Sequence, residues 1–194
     1  MSIELIQKLR NSTGAGMMDV KQALDEANGD EAKALVVLRK KGQKIAAKKQ
    51  AERSAKEGLV DAYIHAGGKV GAMIVLASET DFVAKNEEFK NLAHEVAMQV
   101  AAMQPEYISK EDVPSDVIDK EKEIYKEQLE KEGKPANMLD KIAEGKLNKF
   151  YENTCLLNQK YIKDDKKTIG NLVTEATAKL GEKIEVKKMI VFTL

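Results

Sequence analysis

The sequence has no tryptophan, one cysteine and three prolines among its 194 residues. A single cysteine, Cys155, excludes an intrachain disulfide and a metal site built from several thiolates. We therefore expect a protein of a reducing compartment. Cys155 itself is predicted to be a small buried hydrophobic residue, and a contact or bridge across a dimer interface is the alternative. Without tryptophan, the chain also lacks the largest side chain on which nucleic-acid bases stack.

An excess of charge of one sign is also missing, because Lys+Arg and Asp+Glu both number 32. The formal net charge is zero, so a strongly basic nucleic-acid-binding protein is not expected. The longest apolar run, residues 70–77, is too short to cross a bilayer. The N-terminus lacks the basic segment and apolar stretch of a signal peptide. These features predict a cytoplasmic protein with no membrane partner.

The first 42 residues have the pattern of three short helices. Apolar residues recur at three- and four-residue steps, and the segments 13–16 and 28–29 interrupt them with glycines. Asp30 can cap the third helix, and Gly42 is predicted to end it. Gly14 and Gly16 lack the third glycine and the preceding strand of a dinucleotide-binding loop, so we expect no cofactor. Three helices with few large side chains suit a module that docks on another protein.

A basic, alanine-rich segment, residues 39–56, follows the three helices. Its composition favours a helix, which is either an RNA or phosphate contact or a solvated connection between domains. We prefer the connection, because no aromatic residues interleave the charges. An RNA- or ribosome-associated binding protein that uses this helix remains the alternative function. We place the domain boundary here, which gives a helical domain of residues 1–54 and a core of residues 55–194.

Two apolar stretches in the core flank Gly67-Gly68, a good two-residue hairpin turn, and predict a pair of strands. The apolar segment 184–194 predicts a third strand, and amphipathic helices surround all three. The expected fold class is α+β, with a three-stranded antiparallel sheet packed by helices. The open edges of so small a sheet favour a homodimer formed through the sheet. His65 has no second His or Cys at ligand spacing, so no metal site is expected.

Residues 115–132 and 136–153 predict two charged helices joined by Gly133-Lys134-Pro135. Each carries a narrow apolar seam, which is typical of helices that pack mainly on each other. The pattern therefore predicts a helical hairpin, 115–153, that projects from the core.

Between the second strand and the next helix, Asp81 stands directly before Phe82. A corner held between packed elements is stiff and exposed, so it can present these side chains to a partner. The alternative is that Phe82 packs in its own core and Asp81 is solvated or caps a helix. A hydrolase built on Glu79, Asp81 and His65 ranks last, because their spacing offers no nucleophile and base. We therefore expect no catalytic residues.

The string Thr-Asp-Phe-Val-Ala-Lys-Asn at residues 80–86 resembles the signature of the translation elongation factor Ts family. Two further segments are similar to the family: residues 13–24, and the Gly-Lys-Pro turn at 133–135 together with 143–147. The resemblance follows the whole chain in order. Long members carry two copies of the sheet-containing core, and this chain carries one, so it resembles the short form.

This resemblance implies an N-terminal module of the ubiquitin-associated (UBA-like) fold, a coiled-coil hairpin and a defined partner, the GTPase elongation factor Tu. It implies a guanine-nucleotide exchange factor that binds Tu with GDP, displaces Mg²⁺ and promotes GDP release so that GTP can bind. It also implies that the chain carries out no bond chemistry. The residues implied at the partner's Mg²⁺ site are Thr80, Asp81, Phe82 and Val83. Secondary partner contacts are implied for Met17, Met18, Lys21 and His65.

Overall fold

The computed structural model describes residues 3–132 and 136–194. The helices are α1 (Ile3–Thr13), α2 (Met17–Glu26), α3 (Glu31–Glu52), α4 (Asp81–Ala84), α5 (Glu87–Met103), α6 (Ser115–Lys131), α7 (Ala136–Thr154) and α8 (Ile169–Leu180). The strands are β1 (Glu57–Ile64), β2 (Val70–Ser78), β3 (Lys160–Tyr161), β4 (Asp164–Thr168) and β5 (Glu185–Thr193). Two 3₁₀ turns cover Lys110–Asp112 and Leu156–Asn158. Across the described ranges, no helix combines the length and the apolar character needed to span a membrane.

The three-stranded sheet has the order β1-β2-β5, and both strand pairs are antiparallel. Its inner face packs on α5, and α8 closes the same core. Side chains of β2 alternate between the faces, so Ala72, Ile74 and Leu76 are buried while Met73 is exposed. The predicted α+β fold class and the three-stranded antiparallel sheet are confirmed.

The chain between α7 and α8 is not a plain extended connection. It forms the 3₁₀ turn and the two-stranded β3–β4 sheet. The buried side chain of Gln99 on α5 explains this, because it satisfies backbone groups of the connection. Its Nε2 donates to the carbonyl of Lys160 (3.0 Å), and its Oε1 accepts from the backbone N–H of Ile162 (3.0 Å).

Cys155 lies where α7 meets this connection, and its side chain is fully buried. The expectation of a buried hydrophobic residue is therefore confirmed. Burial also raises the pKa of the Cys155 thiol, which disfavours the reactive thiolate. A bridge across a dimer interface would need an accessible sulfur, which this burial does not provide.

Helices α1 to α3 pack around a second apolar cluster, which includes Leu9, Val20 and Leu24. The predicted end of the third helix at Gly42 is wrong, because α3 continues to Glu52. Helix α3 packs against α8, and a Cβ at Gly42 would lie 3.2 Å from the Ala178 Cβ. The glycine therefore allows a close helix crossing. The division into 1–54 and 55–194 stays a prediction.

The predicted helical hairpin is present as α6 and α7, which pack on each other. Its seam buries Leu129, Ala143 and Leu147. The Nζ of Lys146 lies 5.7 Å from the centre of the Tyr125 ring, a distance that suits a cation–π contact. The Gly-Lys-Pro turn at 133–135, on which part of the resemblance depends, lies outside the described residues.

Gly14 offers a test of how tightly the N-terminal helices pack on α8. We expect Gly14→Ala to lower the free energy of unfolding by ~2–4 kcal/mol, since strain at positive φ adds to overpacking. The residue has φ +69°, and a Cβ there would lie 2.8 Å from the Lys179 Cα. Urea unfolding of the two proteins measures the difference.

Gly29→Ala is the matched control, because Gly29 has φ +80° and a Cβ added there would meet no other atom within 4 Å. It should lose about 1 kcal/mol from backbone strain alone. Equal losses for the two variants would contradict the close packing of Gly14 on α8.

Candidate functional site

The predicted corner contains a one-turn helix that the sequence pattern does not show. After β2 ends, Thr80 is extended (φ −127°, ψ 158°), and α4 covers only Asp81–Ala84. The backbone N–H of Lys85 closes the turn on the carbonyl of Asp81 (3.1 Å). Asn86 then caps α5 by accepting from the N–H of Glu88 (2.8 Å). The corner is therefore a single helical turn between a strand and a long helix.

Phe82 points outward from this turn, and 81% of its surface is exposed. The two residues that follow it behave differently, because Ala84 is buried and Val83 packs against the main core. The structure thus excludes the alternative that Phe82 packs inside its own chain. An aromatic side chain this exposed is a feature of binding surfaces, where a partner removes it from water.

Asp81 lies beside Phe82 and forms an ion pair with Lys85, whose Nζ is 2.6 Å from the Asp81 Oδ2. The hydrogen bond from Lys85 lowers the pKa of the Asp81 carboxyl, so this residue stays ionised at neutral pH. The corner therefore presents a carboxylate and an aromatic ring together.

Thr80 fastens the corner to a distant part of the chain. Its backbone N–H donates to the Glu182 Oε2 (3.0 Å), and its hydroxyl donates to the Glu182 Oε1 (2.6 Å). The carbonyl of Thr80 accepts from the buried hydroxyl of Ser78 (2.9 Å). Glu182 lies between α8 and β5, so the residue that precedes α4 is held from both sides.

A second set of contacts joins this loop to the end of α3. The Glu79 carboxylate accepts from the backbone N–H of Lys183 (2.6 Å) and from Arg53 (3.2 Å). The Lys183 ammonium donates to the carbonyls of Gln50 (3.0 Å) and Arg53 (2.9 Å), where the helix dipole favours a cation. The bonds from Lys183 and Arg53 lower the pKa of Glu79. Helix α3, the loop and the corner are therefore one connected unit.

Sequence reasoning missed the contributions of Arg53, Glu182 and Lys183 to this site. Glu182 is separated from Thr80 by 102 residues, and no local pattern links the two. The one available signal is Gly181, which ends α8 in the left-handed conformation (φ 79°) that glycine favours. It places Glu182 in a loop but does not indicate the partner of its carboxylate.

The residues predicted as secondary partner contacts lie at two separate sites. Met17, Met18 and Lys21 are exposed together at the start of α2, at spacings that share one helix face. His65 lies just beyond β1, where its Nδ1 is 3.2 Å from the Tyr63 hydroxyl.

Since Glu79, Asp81 and His65 have separate partners, the structure gives no support to the hydrolase hypothesis.

A groove of about 1090 Å³ lies elsewhere, lined mainly by α1, the turn before α2, α3 and α8. Its lining does not include the 80–83 corner. The corner is thus a projecting feature, which suits insertion into another protein better than enclosure of a small molecule.

The basic helix is largely engaged within the chain. Arg39 lies 3.8 Å from Glu175, Lys41 lies 2.7 Å from Asp19, and the Lys49 ammonium donates to the carbonyl of Gly181. These contacts support the interpretation of residues 39–56 as a connecting helix, because paired cations are less available to phosphates.

Comparison with known families tests the resemblance that residues 80–86 carry. A sequence model described as "Elongation factor TS" matches residues 4–194. The chain belongs to the elongation factor Ts family. The resemblance of the 80–86 string is therefore confirmed, and the protein is a translation elongation factor.

Curated relatives named elongation factor Ts match the chain over nearly its whole length. The protein of Caldanaerobacter subterraneus subsp. tengcongensis is 55% identical over 192 residues, which cover 99% of this chain and 96% of the relative. The protein of Thermosipho melanesiensis is 51% identical over 194 residues, which cover 100% and 98%. These elongation factor Ts relatives are thus similar in length to this chain.

The Glu79 contacts predict how stability depends on pH. The folded pKa of Glu79 lies below its ordinary value of 4.5, so its stabilising effect is complete above that value and is lost as the pH falls through the folded pKa. Glu79→Gln should lower the free energy of unfolding by about 0.5–1 kcal/mol at neutral pH. The difference from the wild type should shrink as the pH falls below 4.5 and through the folded pKa. Urea unfolding across this range measures it.

Glu87→Gln is the control, because Glu87 is an exposed carboxylate paired with Lys90 (2.7 Å). Its removal should change stability little at any pH. A Glu79→Gln effect that stays constant from neutral to acid pH would contradict the assigned role of the carboxylate.

Proposed function

We propose that this protein is the guanine-nucleotide exchange factor of elongation factor Tu. It binds Tu with GDP, displaces Mg²⁺ and promotes GDP release, so that GTP can bind. The observation that carries the proposal is the 81% exposure of Phe82 on a short turn that is braced at both ends. Family membership supports the same function.

The mechanism follows from how GTPases hold nucleotide. Backbone groups bind the phosphates, and Mg²⁺ bridges phosphate and protein oxygens. A rigid side chain that enters beside this ion moves its ligands apart, and GDP then dissociates faster. Burying one phenylalanine in a partner contributes about 1.5–3 kcal/mol. Because about 1.4 kcal/mol corresponds to a tenfold change in affinity, Phe82 alone can weaken nucleotide binding substantially.

The coupling between nucleotide and factor is reciprocal. If this protein lowers the affinity of Tu for nucleotide, then arriving nucleotide lowers the affinity of Tu for this protein by the same factor. The protein is therefore released and acts repeatedly. No bond is made or broken in this chain, so it is an exchange factor and not an enzyme, and it needs no cofactor of its own.

Other residues have supporting roles in the proposed complex. Asp81 adds a negative charge beside the partner's metal site, while Thr80 and Val83 fix the turn to its own chain. The exposed face of α2 with Met17 and Met18 is the proposed docking surface for the G domain of Tu, because flexible methionines adapt to a partner. Lys21 and His65 are proposed as further contacts.

We place the protein in the cytoplasm with its partner. We do not propose direct nucleic-acid binding, since several cations of residues 39–56 already contact acceptors within the chain.

Phe82→Ala tests the proposed wedge. Catalytic amounts of the unmodified protein should accelerate release of labelled GDP from Tu, and Phe82→Ala should reduce this acceleration at least ~10-fold, because the buried aromatic contact is lost. Release of a fluorescent GDP analogue after mixing with excess GDP measures the rate.

The control is Ile124→Ala, which shortens an exposed apolar side chain on α6. It should retain wild-type exchange. If Phe82→Ala folds normally and exchanges as fast as the wild type, Phe82 is not the wedge.

We also propose that two copies associate through the outer face of the sheet. This face carries Ile64, Met73, Ile190 and Phe192, which are between 45% and 72% exposed. Met73 of the central strand lies opposite Ile190 of β5. A continuous apolar sheet face is costly to leave in water, and two identical faces related by a two-fold axis cover each other. Packed face to face, the two sheets form a second core.

Met73→Asp should convert the proposed dimer to a monomer, because a two-fold axis near the central strand places two carboxylates in an apolar interface. Sedimentation equilibrium at micromolar concentration measures the mass. Ile124→Asp is the control, since it adds the same charge at a site of similar exposure, and it should leave the mass unchanged. A monomeric wild-type protein at these concentrations would overturn the proposed dimer.

A further inference from the structure

Helix α4 is too short to hold its own conformation. It has four residues, whereas isolated helices need about 12–15 residues to be even marginally stable in water, because the first turn is costly to form. The exposed Phe82 contributes nothing to the packing of this turn within the free protein. The orientation of the aromatic ring must therefore depend on other contacts, namely the packing of Val83 and Ala84 on the core and the bonds to the residue that precedes the turn.

Thr80 supplies these bonds in an unusual way. It occupies the N-cap position of α4, where a threonine hydroxyl normally accepts a bond from the helix backbone, but its side chain makes no such cap bond. The hydroxyl instead donates to Glu182, which also accepts from the Thr80 backbone N–H. Two charge-assisted bonds to one carboxylate fix both the position and the direction of the chain as it enters the turn.

Glu182 is itself fixed. On one side, Gly181 ends α8 in the left-handed conformation, and its carbonyl accepts from the Lys49 ammonium of α3. On the other side, the Lys183 backbone N–H donates to Glu79 (2.6 Å) and its ammonium donates to the carbonyl of Gln50 (3.0 Å). The backbone on both sides of Glu182 is therefore held by other elements, which limits how far its carboxylate can follow the turn.

We propose that Glu182 is a positioning residue for nucleotide exchange, which holds the turn so that Phe82 is preset for entry into the partner. This inference depends on the proposed exchange function. Glu182 acts through Thr80 and need not touch the partner. Without the anchor, the turn samples other orientations, and only a fraction of molecules presents Phe82 correctly.

The free protein gives the first test, because the chain has no tryptophan and Phe82→Trp therefore introduces a unique probe. In this background, Glu182→Ala should increase the amplitude of nanosecond motion in the time-resolved anisotropy by about twofold. Thr80→Ser keeps both donors and should leave the anisotropy unchanged, while Thr80→Val loses the hydroxyl and should resemble Glu182→Ala. An unchanged anisotropy in Glu182→Ala would overturn the proposal.

Exchange kinetics give the second test. At saturating factor, Glu182→Ala should lower the maximal rate of GDP release from Tu by about 3–10-fold, in proportion to the lost population. The concentration that gives half of the maximal rate should change less than about twofold, because other surfaces carry the docking. Glu152→Ala, which removes an exposed glutamate on α7, is the matched control and should match the wild type.

The double variant separates this inference from the proposed function. If Glu182 acts through Phe82, then Glu182→Ala should have no further effect in a Phe82→Ala background. Loss of exchange in Phe82→Ala with a normal rate in Glu182→Ala would overturn the positioning role and leave the wedge intact. Normal exchange in Phe82→Ala would overturn the wedge itself. Should Glu182→Ala fail to fold by circular dichroism, Thr80→Val carries the same test with the carboxylate in place.

Discussion

The structure depends on one constraint: an exposed aromatic side chain has to be held in place by a turn too short to be stable alone. Val83 and Ala84 pack the turn on the core, and two bonds from Thr80 to Glu182 hold its N-terminal end. A hydrophobic residue that packs in a core holds its own backbone in place, whereas Phe82 does not. A binding group that must be free for a partner therefore needs a polar anchor, since directional bonds fix orientation without covering the ring.

Helix α3 connects the N-terminal helices to the Phe82 corner. It starts within the N-terminal helices and ends at Arg53, next to Glu79 at the start of the corner. Lys183 caps its carbonyl end and belongs to the same loop as Glu182. Close crossing with α8, which Gly42 permits, fixes the direction of the helix. The face of α2 and the Phe82 corner are thus held on one connected framework, and a partner that contacts both meets surfaces at a set distance.

Much of this arrangement could be predicted from the sequence, and the part that could not has a physical reason. Hydrophobic alternation and the glycine turn indicated the sheet, and the predicted cap at Asp30 is confirmed. The composition of residues 39–56 indicated a helix, but ending the preceding helix at Gly42 was wrong, because the close crossing with α8 that this glycine permits outweighs its low helix propensity. The bonds between Thr80 and Glu182 also could not be predicted, since polar partners distant in sequence leave no periodic signal.

The outer face of the sheet and the Phe82 corner can serve as separate interaction surfaces, because the side chains of a strand alternate between the two faces of a sheet. Along β2, Ile74 and Leu76 face the helices, and Met73 faces outward. The corner begins only after Ser78, where β2 has already left the sheet. Val83 of the turn packs on the main core, on the other side of the sheet, so the proposed association through the outer face does not use Phe82. A two-fold axis through the sheets would then present two corners, each braced by the Glu182 of its own chain.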